Sequence, residues 1–481
     1  MQIRQLMLYL DAIVKCFNKL NSDPILMKMK NRMKIQHWLM LLIVLCVSCK
    51  DDKSDTDSQA FDPSKPVVVS DFAPKEGGAN QKMIIYGENF GNDLSKIKVT
   101  IGGQNARIIG VNHQSLYCIV PAKAYDGDIE VSIVDESGEK IAYAEAGEHY
   151  AYQKKMLVSS FLGETYENNT KFDVKDGPFD DCGGFEKMEW LVFDPLNHNH
   201  LYVAGYDKSC RLIDFEKKYV STFNTGIPNP NKNGIPCINW TLGGDMIVTH
   251  DQSNDTQPGN YLLTRESGFK SLTPMAAGRG TRAAAVHPIN GEYYYAFYNT
   301  GMVWRGEVGT KEGVNIFRVP NASVRIFIII HPTGNYAYII VNNRQYIMRS
   351  DYNWATKNFT EPYLIAGKDQ TGGYADGVGS YARVNEPQQG VFVKNPEYEG
   401  QEDEYDFYFC DKANHVVRIM TPQGRVSTFA GTPQASGYRD GDLRLDARFA
   451  YPAGIAYDEE RQCFYIGDSN NRRIRKVAYE E

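Results

Sequence analysis

The chain from Arg425 to Val477 decides the fold. It reads R-V-S-T-F-A-G-T from Arg425, Y-R-D-G from Tyr438, A-R-F from Ala447, P-A-G-I-A-Y-D from Pro452 and C-F-Y-I-G-D-S-N-N-R-R-I-R-K-V from Cys463. The same phrase occurs immediately upstream, from Pro362, as P-Y-L-I-A-G-K, Y-A-D-G, A-R-V, P-Q-Q-G-V-F-V and D-F-Y-F-C-D-K-A-N-H-V-V-R-I-M. A looser copy opens at Leu157 with L-V-S-S-F-L-G, V-K-D-G, W-L-V-F-D-P and H-L-Y-V-A-G-Y-D-K-S-C-R-L-I-D. Each copy holds four short apolar segments and repeats at roughly 40–60 residues, the period of propeller blades.

Bulk composition agrees with an all-β chain. Aromatics make up 12% of the 481 residues, with 31 Tyr and 42 Gly, a mixture that favours short strands joined by glycine-bearing turns. A net charge of −7 argues against a nucleic-acid partner, which needs a basic face. Nine cysteines, none in a C-x-x-C pair, are too dilute for a disulfide framework. Cys118, Cys182, Cys210, Cys237, Cys410 and Cys463 read as buried small apolar residues.

Between Leu157 and Ala478 the apolar segments fall into six groups. The second is assigned outer-strand residues Phe269–Leu272, and the sixth stops before its outer strand. The missing V-S-x-F-x-G phrase stands at Val158 to Gly163, ahead of the first group. The expectation is therefore a six-bladed β-propeller, closed by an N-terminal strand lent to the last blade, which removes exposed sheet edges.

The phrases D-S-N-N-R-R-I at Asp468 and D-K-A-N-H-V-V at Asp411, with F-A-G, Y-x-D-G and P-x-G-I-A-Y-D, resemble NHL repeats. The likeness is strong in the last two copies, fair in the first and poor between Asn224 and Asp351. Scaffold roles are expected: Asp468 and Asp411 bonding backbone amides in the turn after the second strand, Gly441 and Gly377 at positive φ, and Arg448 and Arg383 tying neighbouring blades.

Upstream, Pro66 to Tyr152 changes to short alternating strands that suit one immunoglobulin-like sandwich. Pro74 with Gly77-Gly78, Gly87-Glu88-Asn89-Phe90-Gly91, Ile101-Gly102-Gly103 and Val120-Pro121 resemble the IPT/TIG family, which implies a spacer or contact module rather than a catalyst.

The N-terminus reads as an address. Met33 to Cys49 has a basic head at Lys34, an apolar stretch from Trp38 to Val47 too short to span a bilayer, and Val47-Ser48 before Cys49. It resembles a bacterial lipobox, which implies lipidation of Cys49; each buried methylene of such chains adds about 0.8 kcal/mol of anchoring. The run K-D-D-K-S-D-T-D-S-Q behind it cannot bury apolar surface and reads as a tether. Cys49 followed by Lys50, Asp51 and Asp52 resembles the surface-export signal of Bacteroidota lipoproteins. The domain plan is thus 1–32 an over-extended start, 33–48 signal peptide, 49–64 tether, 65–153 IPT/TIG sandwich and 154–481 NHL-like propeller.

Chemistry is sparse in the sequence. The nine histidines show no metal-ligand spacing, and no G-x-S-x-G elbow, P-loop or Rossmann fingerprint occurs. His287 and His331 occupy equivalent inner-strand ends, where H-P and H-P-T read as turns. No cofactor is predicted, although spacing leaves open a channel-bound metal ion assembled from several blades.

Binding is the easier reading. Loops leading into the inner strands, and those between second and third strands, converge on one propeller face. They carry Trp190, Tyr206, Trp240, Tyr298, Tyr374 and Tyr438, with Arg282, Asn299, Asn342 and Arg344 as polar partners. Flat rings beside such groups suit stacking on sugars, while the same rings would also serve to pack blades together. The reading is a lipid-anchored surface protein that captures glycan without catalysis, at the outer membrane beside a transporter or other surface lipoproteins. The rivals are a hydrolase or lyase with its site at the channel mouth, and a protein-interaction scaffold.

Overall fold

The computed structural model describes residues 59–164, 172–205, 210–227 and 234–480. Cys49, the expected signal peptide, most of the expected tether and Tyr206 lie outside these residues. The chain divides into two compact units at Gln153/Lys154.

The first unit is a sandwich of two four-stranded antiparallel sheets. One runs in the order Val68–Ala73, Lys82–Glu88, Ser115–Ile119, Arg107–Asn112; the other runs Gln104–Asn105, Ile97–Ile101, Ile129–Val134, Lys140–Glu145. Alternation puts Phe72, Ile85, Val99, Leu116, Cys118 and Val131 between the sheets, all essentially inaccessible to water. The G-E-N-F-G phrase earns its composition physically. A Cβ on Gly87 would lie 1.9 Å from the Val68 carbonyl oxygen, so only glycine lets the strands approach there. Asn89, buried at φ 64°, accepts from Asp62 N at 2.8 Å and donates to the carbonyls of Asp62 and Lys65 at 2.9 Å each.

The second unit contains, among the described residues, six antiparallel sheets of at least four strands. Their inner strands are Met188–Asp194, Ile238–Trp240, Ala283–Val286, Ile326–Ile330, Pro387–Lys394 and Pro452–Asp458. Successive inner strands are neighbours, and the sixth packs against the first. Met156–Leu162 pairs antiparallel with Arg473–Tyr479 on the outer side of the sixth sheet, Val158 opposite Val477.

Side chains tie each sheet to the next. Arg265 of the second grips the buried carboxylate of Asp194 in the first at 2.6 and 3.0 Å. Asn239 donates to the Ala284 carbonyl, and His287 Nε2 lies 3.0 Å from the Gly334 carbonyl oxygen. His331 Nε2 stands 3.2 Å from Asp403 Oδ1, and Asn342 donates to the Pro387 carbonyl. Arg461 of the sixth reaches Asn199 of the first at 2.6 Å.

In the fifth and sixth sheets the NHL-like phrase is a lock. Asp468 accepts from Ala450 N at 2.7 Å, Asn471 Nδ2 at 2.8 Å and Arg475 Nη1 at 2.8 Å. Arg475 Nη2 continues to the Arg439 carbonyl and to Asp440 of the D-G phrase at 2.5 Å. Asp411, Asn414, Arg418, Asn385 and Asp376 repeat this arrangement one sheet earlier. Burial pushes the Asp411 and Asp468 carboxyls up to about 6, against the pull of their arginines.

This corrects two expectations. The aspartates bond amides in the loop leading into the inner strand, not in their own turn, because Asn385 N and Ala450 N point at them. The ties are made by Arg418 and Arg475, which are fully buried; Arg383 and Arg448 contribute main-chain carbonyls to them. The glycines after Asp176, Asp376 and Asp440 open two-residue strands along the outer edges, with Gly377 at φ 155° and Gly441 at 129°.

The outer strand of the second sheet also differs from expectation: Thr273–Pro274 fills it rather than Phe269–Leu272. Phe269 turns out of the ladder at φ 59° and packs edge-on against Trp240 at 5.7 Å, so apolar burial outweighs strand pairing there.

Candidate functional site

The loops leading into the inner strands and those after the second strands share one face of the second unit. At its centre, Trp190 stacks on Phe327 across the sheets at 5.8 Å. Gln389 accepts from Leu191 N and Ile455 N at 2.8 and 2.9 Å and donates to the Leu191 carbonyl at 2.6 Å, stitching three inner strands together. Above it the Glu189 carboxylate, nearly buried, takes Gln388 Nε2, Lys412 Nζ at 3.2 Å and Arg282 Nη1 at 4.0 Å. The axis at this depth is filled by side chains.

Off the axis, between the second, third and fourth sheets, opens a cavity of about 330 Å³ lined by Asp251, Gln252, Ser253, Arg279, Gly280, Arg282, Tyr298 and Arg325. Backbone bonds fix its walls. Gly280 N donates to the Gln252 carbonyl at 2.8 Å, Tyr298 N to Arg279 O at 3.2 Å, Val324 N to Tyr298 O at 2.9 Å and Asn342 N to Arg325 O at 2.9 Å. Gly280 sits at φ 64°, where a Cβ would stand 2.4 Å from that of Tyr298, so glycine is what brings loop and ring together. Arg282 pairs with Asp251, and Asn343 Oδ1 accepts from Arg325 N at 2.7 Å.

Of the residues singled out in the sequence, the structure brings Arg282 and Tyr298 to one cavity and disperses the rest. Asn299 lies in the adjoining cavity, hydrogen-bonded to Asp255 at 2.9 Å. Arg344 forms a two-pronged pair with Asp369 at 2.6 Å, and Asn342 is spent on the neighbouring sheet. Trp190 and Trp240, 5% and 7% exposed, are core residues and offer no shelf, because each ring closes a gap between sheets. Tyr374 and Tyr438 lie over the buried arginines Arg418 and Arg475 at 4.8 and 5.0 Å, and their hydroxyls reach Thr428 and Ser160 on outer strands. They belong to the lock.

Sequence reasoning missed Asp251, Arg279 and Arg325. The available signal was the R-G-T-R run at Arg279 and the arginine before the next inner strand, both in the part least like the repeat.

A second cavity, about 270 Å³, opens on the opposite face around His331, Tyr336, Arg349 and Asp403. Burial opposes ionisation of Asp403, but hydrogen bonding from His331 and Tyr336 holds it below the usual carboxylate range. His331 is 2% exposed and joins two sheets. Among the described residues no three His, Cys, Asp or Glu side chains gather as a metal-binding set.

Comparison with known proteins agrees with this architecture. The IPT/TIG domain family matches residues 66–152. NHL repeat-containing protein 2 of Gallus gallus is 22% identical over 369 residues, 72% of this chain and 46% of that one. Its Bos taurus counterpart is 29% identical over 109 residues, 22% of this chain and 14% of that one, so the chain spans less than half of either curated relative. Among solved structures, an auxiliary nutrient binding protein from Bacteroides thetaiotaomicron is 56% identical, covering 88% of this chain and 100% of that one, with TM-score 0.81. One of the same description from Bacteroides ovatus is 44% identical over 88% and 100%, TM-score 0.70. A third, from B. thetaiotaomicron and provisionally described as a phosphatase, is 39% identical over 88% and 99%, TM-score 0.78.

The protein is an IPT/TIG sandwich joined to an NHL-like β-propeller unit. It belongs to the family of these Bacteroides proteins.

Proposed function

We propose that this protein captures a nutrient glycan at the cell surface, anchored in the outer membrane by lipid on Cys49 and working beside an outer-membrane transporter. The observation that carries the reading is the walled cavity at Arg282 and Tyr298, in a chain 56% identical over its partner's full length to an auxiliary nutrient binding protein. Tyr298 supplies a half-buried ring, and Arg279, Arg325 and Ser253 supply hydrogen-bonding groups, the combination that sugar sites use. Six sheets in cyclic succession, with Met156–Leu162 on the sixth, support a six-bladed ring whose closing strand comes from the N-terminal side. Such a ring holds the cavity rigid at little entropic cost on binding.

The experiment is a glycan panel on the purified protein, read by calorimetry, with Tyr298→Ala beside the parent. Binding by the parent and a loss on the order of tenfold in the variant support the reading. A panel with no binder, or a variant that binds like the parent, would sink it. Hydrolysis has one supporting observation, the provisional description of the 39% relative. Turnover of a phosphate ester by the parent would move the assignment from capture to catalysis.

A further inference from the structure

We infer that the cavity between the second, third and fourth sheets recognises an oxyanion, so that the captured glycan is an acidic one bearing carboxylate or sulfate. This rests on the capture reading above and adds the chemical class of its ligand.

The cavity wall holds three guanidinium groups, Arg279, Arg282 and Arg325, against one carboxylate, Asp251. That excess of positive charge is local, since the whole chain carries −7. The three arginines are not equivalent. Arg282 is committed, paired with Asp251 and 4.0 Å from Glu189. Its role is to hold the floor and fix Asp251.

Arg279 is under-satisfied. Its Nε is buried without a hydrogen-bond acceptor among the described residues, and its nearest carboxylate, on the exposed side chain of Asp255, stands 3.7 Å away. That buried Nε–H, on a side chain 43% exposed overall, is left open at a cavity wall, which points to an acceptor that arrives with a ligand.

Arg325 is half-buried and faces the same cavity with no carboxylate partner among the described residues. Its backbone is nevertheless pinned from both sides, by Asn343 Oδ1 and by Asn342 N. Two open planar forks on a braced wall match the geometry by which arginine binds carboxylate or sulfate through paired hydrogen bonds. Tyr298 lies between the two loops that carry them, in position to stack on the ring bearing the anion. A neutral sugar would leave Arg325 without a counter-charge and Arg279 with only the loose, exposed Asp255 pair at 3.7 Å.

The test compares three arms on the full protein by calorimetry: oligogalacturonate for carboxylate, a chondroitin sulfate oligosaccharide for sulfate, and a neutral galactan oligosaccharide. The parent is expected to bind at least one acidic arm and to prefer it over the neutral arm by tenfold or more. That affinity should fall as salt is raised from 50 to 500 mM, since ion contacts to a partly open site are screened. Arg325→Gln should weaken acidic binding about tenfold, and Arg279→Gln/Arg325→Gln should abolish it. Neither side chain supports a neighbouring sheet through a buried ion pair, and an unchanged melting temperature confirms the fold of each variant.

Preferred binding of the neutral arm, or acidic binding that both variants keep, overturns the oxyanion assignment while leaving glycan capture standing. No binding in any arm, together with no binder in the wider panel, overturns both.

Discussion

Replacing Arg475 with methionine tests what holds the sheets together. The side chain is fully buried and donates to Asp468 Oδ2 at 2.8 Å, to the Arg448 and Arg439 carbonyls at 3.0 and 2.7 Å, and to Asp440 at 2.5 Å. Methionine fills much of the volume but leaves Asp468, also fully buried, without its counter-charge. Breaking a buried pair from one side costs about 3–5 kcal/mol. Asn471 and Ala450 N still donate to Asp468, which favours the lower half, so we expect about 3–4 kcal/mol. With a urea dependence of about 3 kcal/mol per molar for a unit of this size, the propeller transition should move down by roughly 1 M.

The control is Arg211→Met in the first sheet. Arg211 stands 3.7 Å from the half-exposed Asp176 and donates to the Lys175 carbonyl at 2.6 Å, while its Nε and Nη1 have no acceptor among the described residues. Gly205 stands where Asp468 stands in the sixth sheet, so no buried carboxylate is stranded there, and the cost should stay under about 1 kcal/mol. Both transitions are read by tryptophan fluorescence in urea. Equal costs for the two variants, or a loss under about 1 kcal/mol for Arg475→Met, would refute the lock.

Other outcomes follow from single features. Val158→Asp should destabilise the second unit by about 3 kcal/mol or more, because Val158 is 1% exposed opposite Val477; a change under about 1 kcal/mol in the same assay would show that the Met156–Leu162 strand carries no load. Burial pushes the Cys118, Cys210 and Cys237 thiols up to about 12, so a maleimide should label none of them at pH 7 in the folded protein and all three in denaturant, counted by mass spectrometry. Burial likewise holds the His287 imidazole below its ordinary value, so the unfolded chain takes up its proton first as pH falls. That contribution is complete above about pH 6.5 and is lost below it, and His287→Gln should show a shallower fall in stability from pH 7 to 5. The difference in slope isolates His287 from Asp411 and Asp468, whose raised values act in the opposite sense.

The architecture was legible where residues repeat for a local reason. Asp, Asn and Arg at fixed offsets form one network per copy, and glycine recurs where a turn or a close approach excludes a Cβ. The partners inside those networks were harder to read. Arg383 and Arg418 both recur with the repeat, and sequence offers no means of telling which side chain turns inward; burial of the whole Arg418 guanidinium settles it. The aromatics were misleading for a related reason. Trp190 looked like an exposed ring because the equivalent residue is Gly454, yet a larger side chain at an inner-strand start points to the axis and meets Phe327.

The cavity lies where the repeat is weakest, and the two facts have one cause. In the fifth and sixth sheets the loop leading into the inner strand is drawn down by its aspartate and arginine, which spends the polar groups on the scaffold. The third and fourth sheets dispense with that network and are tied instead from the opposite face, by His287 to the Gly334 carbonyl and His331 to Asp403. Apart from Asn342, which still reaches the Pro387 carbonyl, their upper loops are released from scaffold duty, and Arg279, Tyr298 and Arg325 there can face a cavity instead of a neighbouring strand. Departure from the repeat thus marks the proposed binding cavity more directly than any aromatic count. By that logic, grafting an aspartate and arginine lock into the third sheet should stiffen it and close the cavity together.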